Sequence, residues 1–116
     1  MKTSTPCMIY CTTADRDEAD MIGRTLVTER LAACANIIDG MAAYYWWEGA
    51  LQQGKEAILL LKTTEAKSSD LIERLVALHS YDCPCALILP VAGGNPDYLA
   101  WIQGEIKDAV QGRADG

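Results

Sequence analysis

Two stretches of this chain are apolar without alternation. In Ile58-Leu59-Leu60-Leu61 and in Leu87-Ile88-Leu89 every residue is a large aliphatic. Successive side chains of a strand point to opposite faces, so Ile58 and Leu60 face one way, and Leu59 and Leu61 the other. A sheet built on such strands is apolar on both faces. Soluble single copies seldom leave so large a patch bare, so the second face needs a cover. A partner copy of the chain is the simplest one. A C-terminal helix is the alternative, but the helix predicted there is too short to hide a whole sheet.

The remaining elements follow from hydrophobic period and cap residues. Cys7-Met8-Ile9-Tyr10-Cys11 is a short apolar run ending at Thr12-Thr13, which predicts a first strand. Asp15 with Glu18 three residues on resembles a capping box. Ala19, Ile22, Leu26 and Leu31 continue at helical spacing, predicting a helix over about 15–31. Cys34 to Ile38 predicts a second strand, interrupted near Asp39-Gly40. The aromatic stretch Tyr44-Tyr45-Trp46-Trp47 favours strand. Glu48-Gly49 opens a polar connection expected to run to Gly54, after which Glu56–Lys62 forms the other arm of a long hairpin. A second helix is predicted over about 65–79, with Leu71, Ile72, Leu75, Val76 and Leu78 on its apolar face. Ala86 to Leu89, with Val91, is the fourth strand. Asn95-Pro96 suits an N-cap with proline at the first helical position, opening a third helix that carries Tyr98, Leu99, Ile102 and Ile106.

The order is strand, helix, strand, strand, helix, strand. It predicts an α+β fold of the ferredoxin-like split βαβ type, βαββαβ plus a C-terminal helix, with a single antiparallel sheet and a long central hairpin. The 116 residues make one domain. It is expected over 1–110, with 111–116 as a frayed tail.

Charge narrows the partners. The formal net charge is −6, and the 10 basic residues form no run or stripe. Neutralising phosphates needs lysine and arginine, so no nucleic acid is expected. No apolar run approaches a membrane span, and the start of the chain does not read as a signal peptide, so a cytoplasmic protein is expected. The five cysteines, Cys7, Cys11, Cys34, Cys83 and Cys85, are odd in number and irregular in spacing. That is a poor disulfide framework, and free thiols are expected.

Several short motifs together resemble one family. They are Cys11-Thr12-Thr13, Arg30-Leu31-Ala32-Ala33-Cys34-Ala35-Asn36, Tyr45-Trp46-Trp47-Glu48-Gly49, Glu56 with Leu61-Lys62-Thr63-Thr64, His79 and Tyr81 with Pro84, and Pro90-Val91 leading to Tyr98-Leu99 and Trp101. In this order, over about 9–102, they resemble the CutA divalent-cation tolerance family. The resemblance implies a ferredoxin-like fold and a tight homotrimer with hairpins pairing between subunits. It also implies metal tolerance, copper especially, through direct binding of the ion, with no enzymatic reaction. Two departures stand out. His79-Ser80-Tyr81 replaces the family's usual His-Pro-Tyr, and Cys85 stands where a glutamate usually follows the proline.

By that resemblance Cys11 and His79 match residues implicated in copper binding. A thiolate with an imidazole favours Cu or Zn over Mg or Ca, so Cu or Zn is the expected cofactor and no organic cofactor is expected. Two ligands make an open site, which water or a neighbouring subunit would complete. Against this, Cys11 ends an apolar strand and His79 sits at a helix C-terminus, so each also has a structural explanation. Cys83-Pro84-Cys85 lies near His79 but has no standard zinc spacing, and alternation along an extended chain would send its two thiols to opposite sides. Cys34 is expected in the core. The aromatics 44–47 are expected at an interface, and Asp15, Asp17, Glu18 and Asp20 in helix capping. His79 is the only histidine, and nothing places a base-orienting carboxylate beside it, so the chain is not expected to be an enzyme. Three readings compete: a trimeric metal-binding protein, a PII-like sensor holding a small molecule between subunits, and a trimeric scaffold.

Overall fold

The computed structural model describes residues 4–106. The elements are β1 (Pro6–Thr13), α1 (Arg16–Thr28), β2 (Cys34–Trp47), β3 (Ala50–Thr64), α2 (Glu65–Leu78), β4 (Ala86–Pro90) and α3 (Pro96–Glu105). The strands form one antiparallel sheet in the order β2-β3-β1-β4. This is the expected ferredoxin-like arrangement with α3 added. The expected tail, 111–116, and the end of the expected domain, 107–110, lie outside the described residues.

Helix α1 starts as its sequence predicts. The Asp15 carboxylate accepts the Glu18 N–H at 2.8 Å, and the Glu18 carboxylate accepts the Ala14 N–H at 2.9 Å. The helix ends at Thr28, three residues short of the expected end. Arg30 adopts φ 64°. With it in that conformation, Arg30 N–H reaches the Val27 carbonyl and Leu31 N–H the Leu26 carbonyl, both at 3.0 Å. This pair of bonds is a Schellman stop. Its left-handed residue is usually glycine, so arginine there left no signal in the sequence.

The central hairpin also departs from expectation. Strand β2 is continuous, and the predicted interruption is a register shift between Ile38 and Met41. Gly40 supplies φ +75° at this bulge. The polar connection expected up to Gly54 is instead a two-residue turn. Glu48 (φ 51°) and Gly49 (φ 81°) both lie in the left-handed region, as a type I′ turn requires, and its twist matches the flanking strands. Pairing therefore resumes at once, Trp47 opposite Ala50.

The two sheet faces have different neighbours. One face carries Ile9, Cys11, Ala57, Leu59 and Leu61, all inaccessible to solvent, packed against Ala19, Ile22 and Leu26 of α1 and Leu71 and Leu75 of α2. Gly23 lets α1 approach, since a β-carbon there would lie 3.1 Å from both Ala35 Cβ and Leu59 Cδ1. The register places Met8, Tyr10 and Thr12, Ile58, Leu60 and Lys62, and Ile38 on the other face. Helix α3 covers only part of that face, where Lys62 Nζ lies 5.4 Å from the centre of the Tyr98 ring. On that face Ile38 remains 52% exposed and Leu87 55%.

Beyond β1, the outer half of the hairpin pairs only with itself. The radius of gyration is accordingly 15.3 Å, against about 13 Å for a compact chain of 100 residues. No helix among the described residues is long and apolar enough to cross a membrane.

Candidate functional site

The last turn of β1 is tied to the loop after α2 through Thr12. The Thr12 carbonyl accepts from Cys11 Sγ at 3.5 Å and lies 2.8 Å from His79 Nε2. On the far side of the ring, His79 Nδ1 accepts the Tyr81 N–H at 3.1 Å. An accepting Nδ1 carries no proton, so this network assigns the proton to Nε2, which donates to Thr12. Glu18 Oε2 approaches Nδ1 at 3.7 Å, but its hydrogen bond is to Ser80 N–H at 2.7 Å. Burial raises the Glu18 carboxyl pKa. Hydrogen bonds from Ala14 and Ser80, with His79 nearby, outweigh that and hold it below its usual value.

The structure thus brings Cys11 and His79 together, on one carbonyl oxygen. Their donor atoms are not free. Burial first, then the charges of Cys85, Glu18 and Glu56, push the Cys11 thiol pKa up to about 12. The His79 side chain is completely buried and both its nitrogens are engaged. For Cys11 to bind an ion as thiolate, ion binding has to offset several kcal/mol of deprotonation at neutral pH. Among the described residues no cluster of three or more His, Cys, Asp or Glu is arranged to hold a metal.

On the opposite side of Thr12 lies a cleft of about 760 Å³, lined by Tyr10, Met41, Tyr45, Glu56, Tyr81 and Cys85 among others. Tyr81 donates its hydroxyl proton to Glu56 Oε2 at 2.7 Å. Burial, then this bond and the Glu56 charge, raise the Tyr81 pKa, so it remains the donor at neutral pH. Cys83 lines the same cleft. Alternation predicted opposite sides for Cys83 and Cys85, but 83–85 is an irregular bend and not a strand, so period-2 alternation does not govern it. Cys34, expected in the core, is half-buried, with Sγ 3.5 Å from Asn36 Oδ1. Its register opposite Lys62 puts it on the open face. The roles of Thr12 and Glu18 carried no sequence signal beyond strand end and cap, because long-range backbone contacts define them.

Comparison with known proteins agrees with the motif order. The model of the family described as CutA1 divalent ion tolerance protein matches residues 7–105. The chain belongs to the CutA family. A relative from Escherichia coli O45:K1 named divalent-cation tolerance protein CutA is 38% identical over 104 residues, covering 90% of this chain and 93% of its own. A rice relative named Protein CutA 1, chloroplastic, is 35% identical over 102 residues. That match covers 88% of this chain but only 58% of the rice protein. The crystal structure of CutA from Xylella fastidiosa superposes with a TM-score of 0.86 at 40% identity, covering 90% of this chain and 100% of that one. The α+β ferredoxin-like fold is therefore shared with a solved CutA structure.

Proposed function

We propose that this CutA chain is a homotrimeric divalent-cation tolerance protein that binds copper or zinc and catalyses no reaction. The relatives named divalent-cation tolerance proteins support the cation. The observation that carries the site is the convergence of Cys11 Sγ and His79 Nε2 on the Thr12 carbonyl, which makes a soft and a borderline donor neighbours. The uncovered sheet face supports the trimer. Cytosolic placement is supported by the five free cysteines, which a reducing compartment maintains.

Copper and zinc titration of the parent, Cys11→Ser and His79→Ala tests the site. Both variants should bind less tightly, and the parent should bind less tightly at about pH 5.5 than at about pH 7, because both donors must first lose protons. Equal affinity in all three proteins would move the site elsewhere. A second reading, a PII-like sensor of a small molecule, draws on the 760 Å³ cleft, a size suited to organic ligands. A ligand carried through purification and released on denaturation would favour it.

A further inference from the structure

We infer that the cleft beside Thr12 holds a small organic ammonium ion, with Glu56 as its counter-charge and aromatic rings as its walls. The inference rests on the reading of this cleft as a small-molecule site and is independent of Cys11 and His79.

Strand register builds the site. Met41 pairs opposite Glu56, and Tyr10 opposite Leu60. By alternation Glu56, Tyr10, Tyr45 and Trp47 therefore all stand on the open face of the sheet. Tyr81 reaches over from the loop after α2 and donates its hydroxyl to Glu56 Oε2 at 2.7 Å. The Tyr10 hydroxyl is held by Met41 Sδ at 3.8 Å. These side chains line a cleft of about 760 Å³, a volume that takes small organic molecules. Glu56 and Asp82 are the only charged residues among its described lining, so the cleft favours a cation.

Two features make that cation an organic ammonium ion. Faces of tyrosine and tryptophan attract cations, most strongly where water is excluded. The subunit interface supplies the exclusion. Tyr45 and Trp47, each 46% exposed, form the rim where a partner copy is expected, whereas Glu56 is already half-buried. A partner over the rim narrows the cleft to its inner end and removes Glu56 from bulk water, with the Tyr81 hydroxyl as its donor. A carboxylate in that position needs an opposite charge. Among the described residues no group of three or more His, Cys, Asp or Glu is arranged to hold a metal ion, so the charge falls to a cation that aromatic walls can bind.

The test is calorimetric titration of the full chain at neutral pH, with a chelator present to withhold metal ions. It compares choline with dimethylbutanol, the uncharged isostere in which carbon replaces nitrogen. Choline should bind at least about 10-fold more tightly, since only the cation gains from the rings and the carboxylate. Glu56→Gln keeps the side-chain size and should remove most of that preference. Glu105→Gln changes a carboxylate outside the cleft and should keep it. Sedimentation of each variant separates loss of the site from loss of assembly, and the isostere comparison needs the parent alone. Equal affinity for choline and its isostere would overturn the assignment. Disruption of the oligomer by Glu56→Gln, with no choline bound by the parent, would give the counter-charge to a partner copy and overturn it also. Native mass spectrometry of the purified protein separates the two levels of the argument. A retained neutral or anionic compound would overturn the ammonium ion and keep the small-molecule site. No retained compound, together with no choline binding, would overturn both.

Discussion

Glu18 holds together two segments far apart in sequence. One carboxylate oxygen caps α1 through Ala14 N–H, and the other holds Ser80 N–H, 62 residues away. Its pKa lies below the usual value in the folded protein. A depressed carboxyl contributes stability above its unfolded pKa and loses it as pH falls through the folded value. Glu18→Gln should therefore destabilise the protein at neutral pH. The gap between parent and variant in urea unfolding should close as pH falls through and below the usual carboxylate range. A gap independent of pH would mean that the charge on Glu18 contributes nothing. Thr12 has a complementary role. Its carbonyl anchors His79 on the helix side, while its residue lines the cleft on the other, so the two candidate sites share one wall.

At the scale of elements, the local conflicts sit where chain direction changes. Arg30 closes α1 in a left-handed conformation that suits glycine better. Its guanidinium pairs with Glu105 at 2.7 Å, but both side chains are substantially exposed, where ion pairs contribute little. In a Glu105→Ala background, which removes that pair and leaves only the exposed 3.3 Å bond from the guanidinium to the residue-105 carbonyl, Arg30→Gly should stabilise the protein by about 1 kcal/mol, the approximate cost of left-handed backbone for a side-chain-bearing residue. Thermal unfolding of the two proteins reads the difference, and a decrease would mean that the arginine has other contacts. The turn at Glu48-Gly49 follows the same logic, except that glycine already occupies one of its two left-handed positions.

The whole molecule is asymmetric, 50 × 27 × 23 Å, with the hairpin projecting. That hairpin carries Tyr44 at 67% and Trp46 at 74% exposure, and Ile38 and Leu51 are also bare. Aromatic and aliphatic side chains left out in this way are typical of a surface awaiting a partner. Sedimentation at low micromolar concentration should give a trimer and not the 12.6 kDa monomer. Ile38→Lys should shift it toward smaller species, because it places a charge on the apolar face. A monomeric parent would remove both the trimer and the reason for these exposed residues.

How much the sequence shows differs by kind of information. The strand–helix order, the core stripes Ala19-Ile22-Leu26 and Leu71-Leu75, the caps at Asp15 and Asn95 and the doubly apolar central strands are all local or periodic. Burial on a regular element writes itself into the sequence at period 2 or 3.6, so these were legible. The aliphatic run 58–61 further implied that one copy leaves apolar surface bare. Only tertiary structure decided the rest. Whether Asp39-Gly40 breaks a strand or bulges within it depends on the partner strand. Whether Cys83 and Cys85 diverge or share a cleft depends on an irregular bend with no period. That His79 and Cys11 meet on one carbonyl depends on backbone oxygen, which every residue carries and no sequence distinguishes. Contacts made by side chains of a particular type leave a pattern in the chain, whereas contacts made to the backbone leave none until the chain folds.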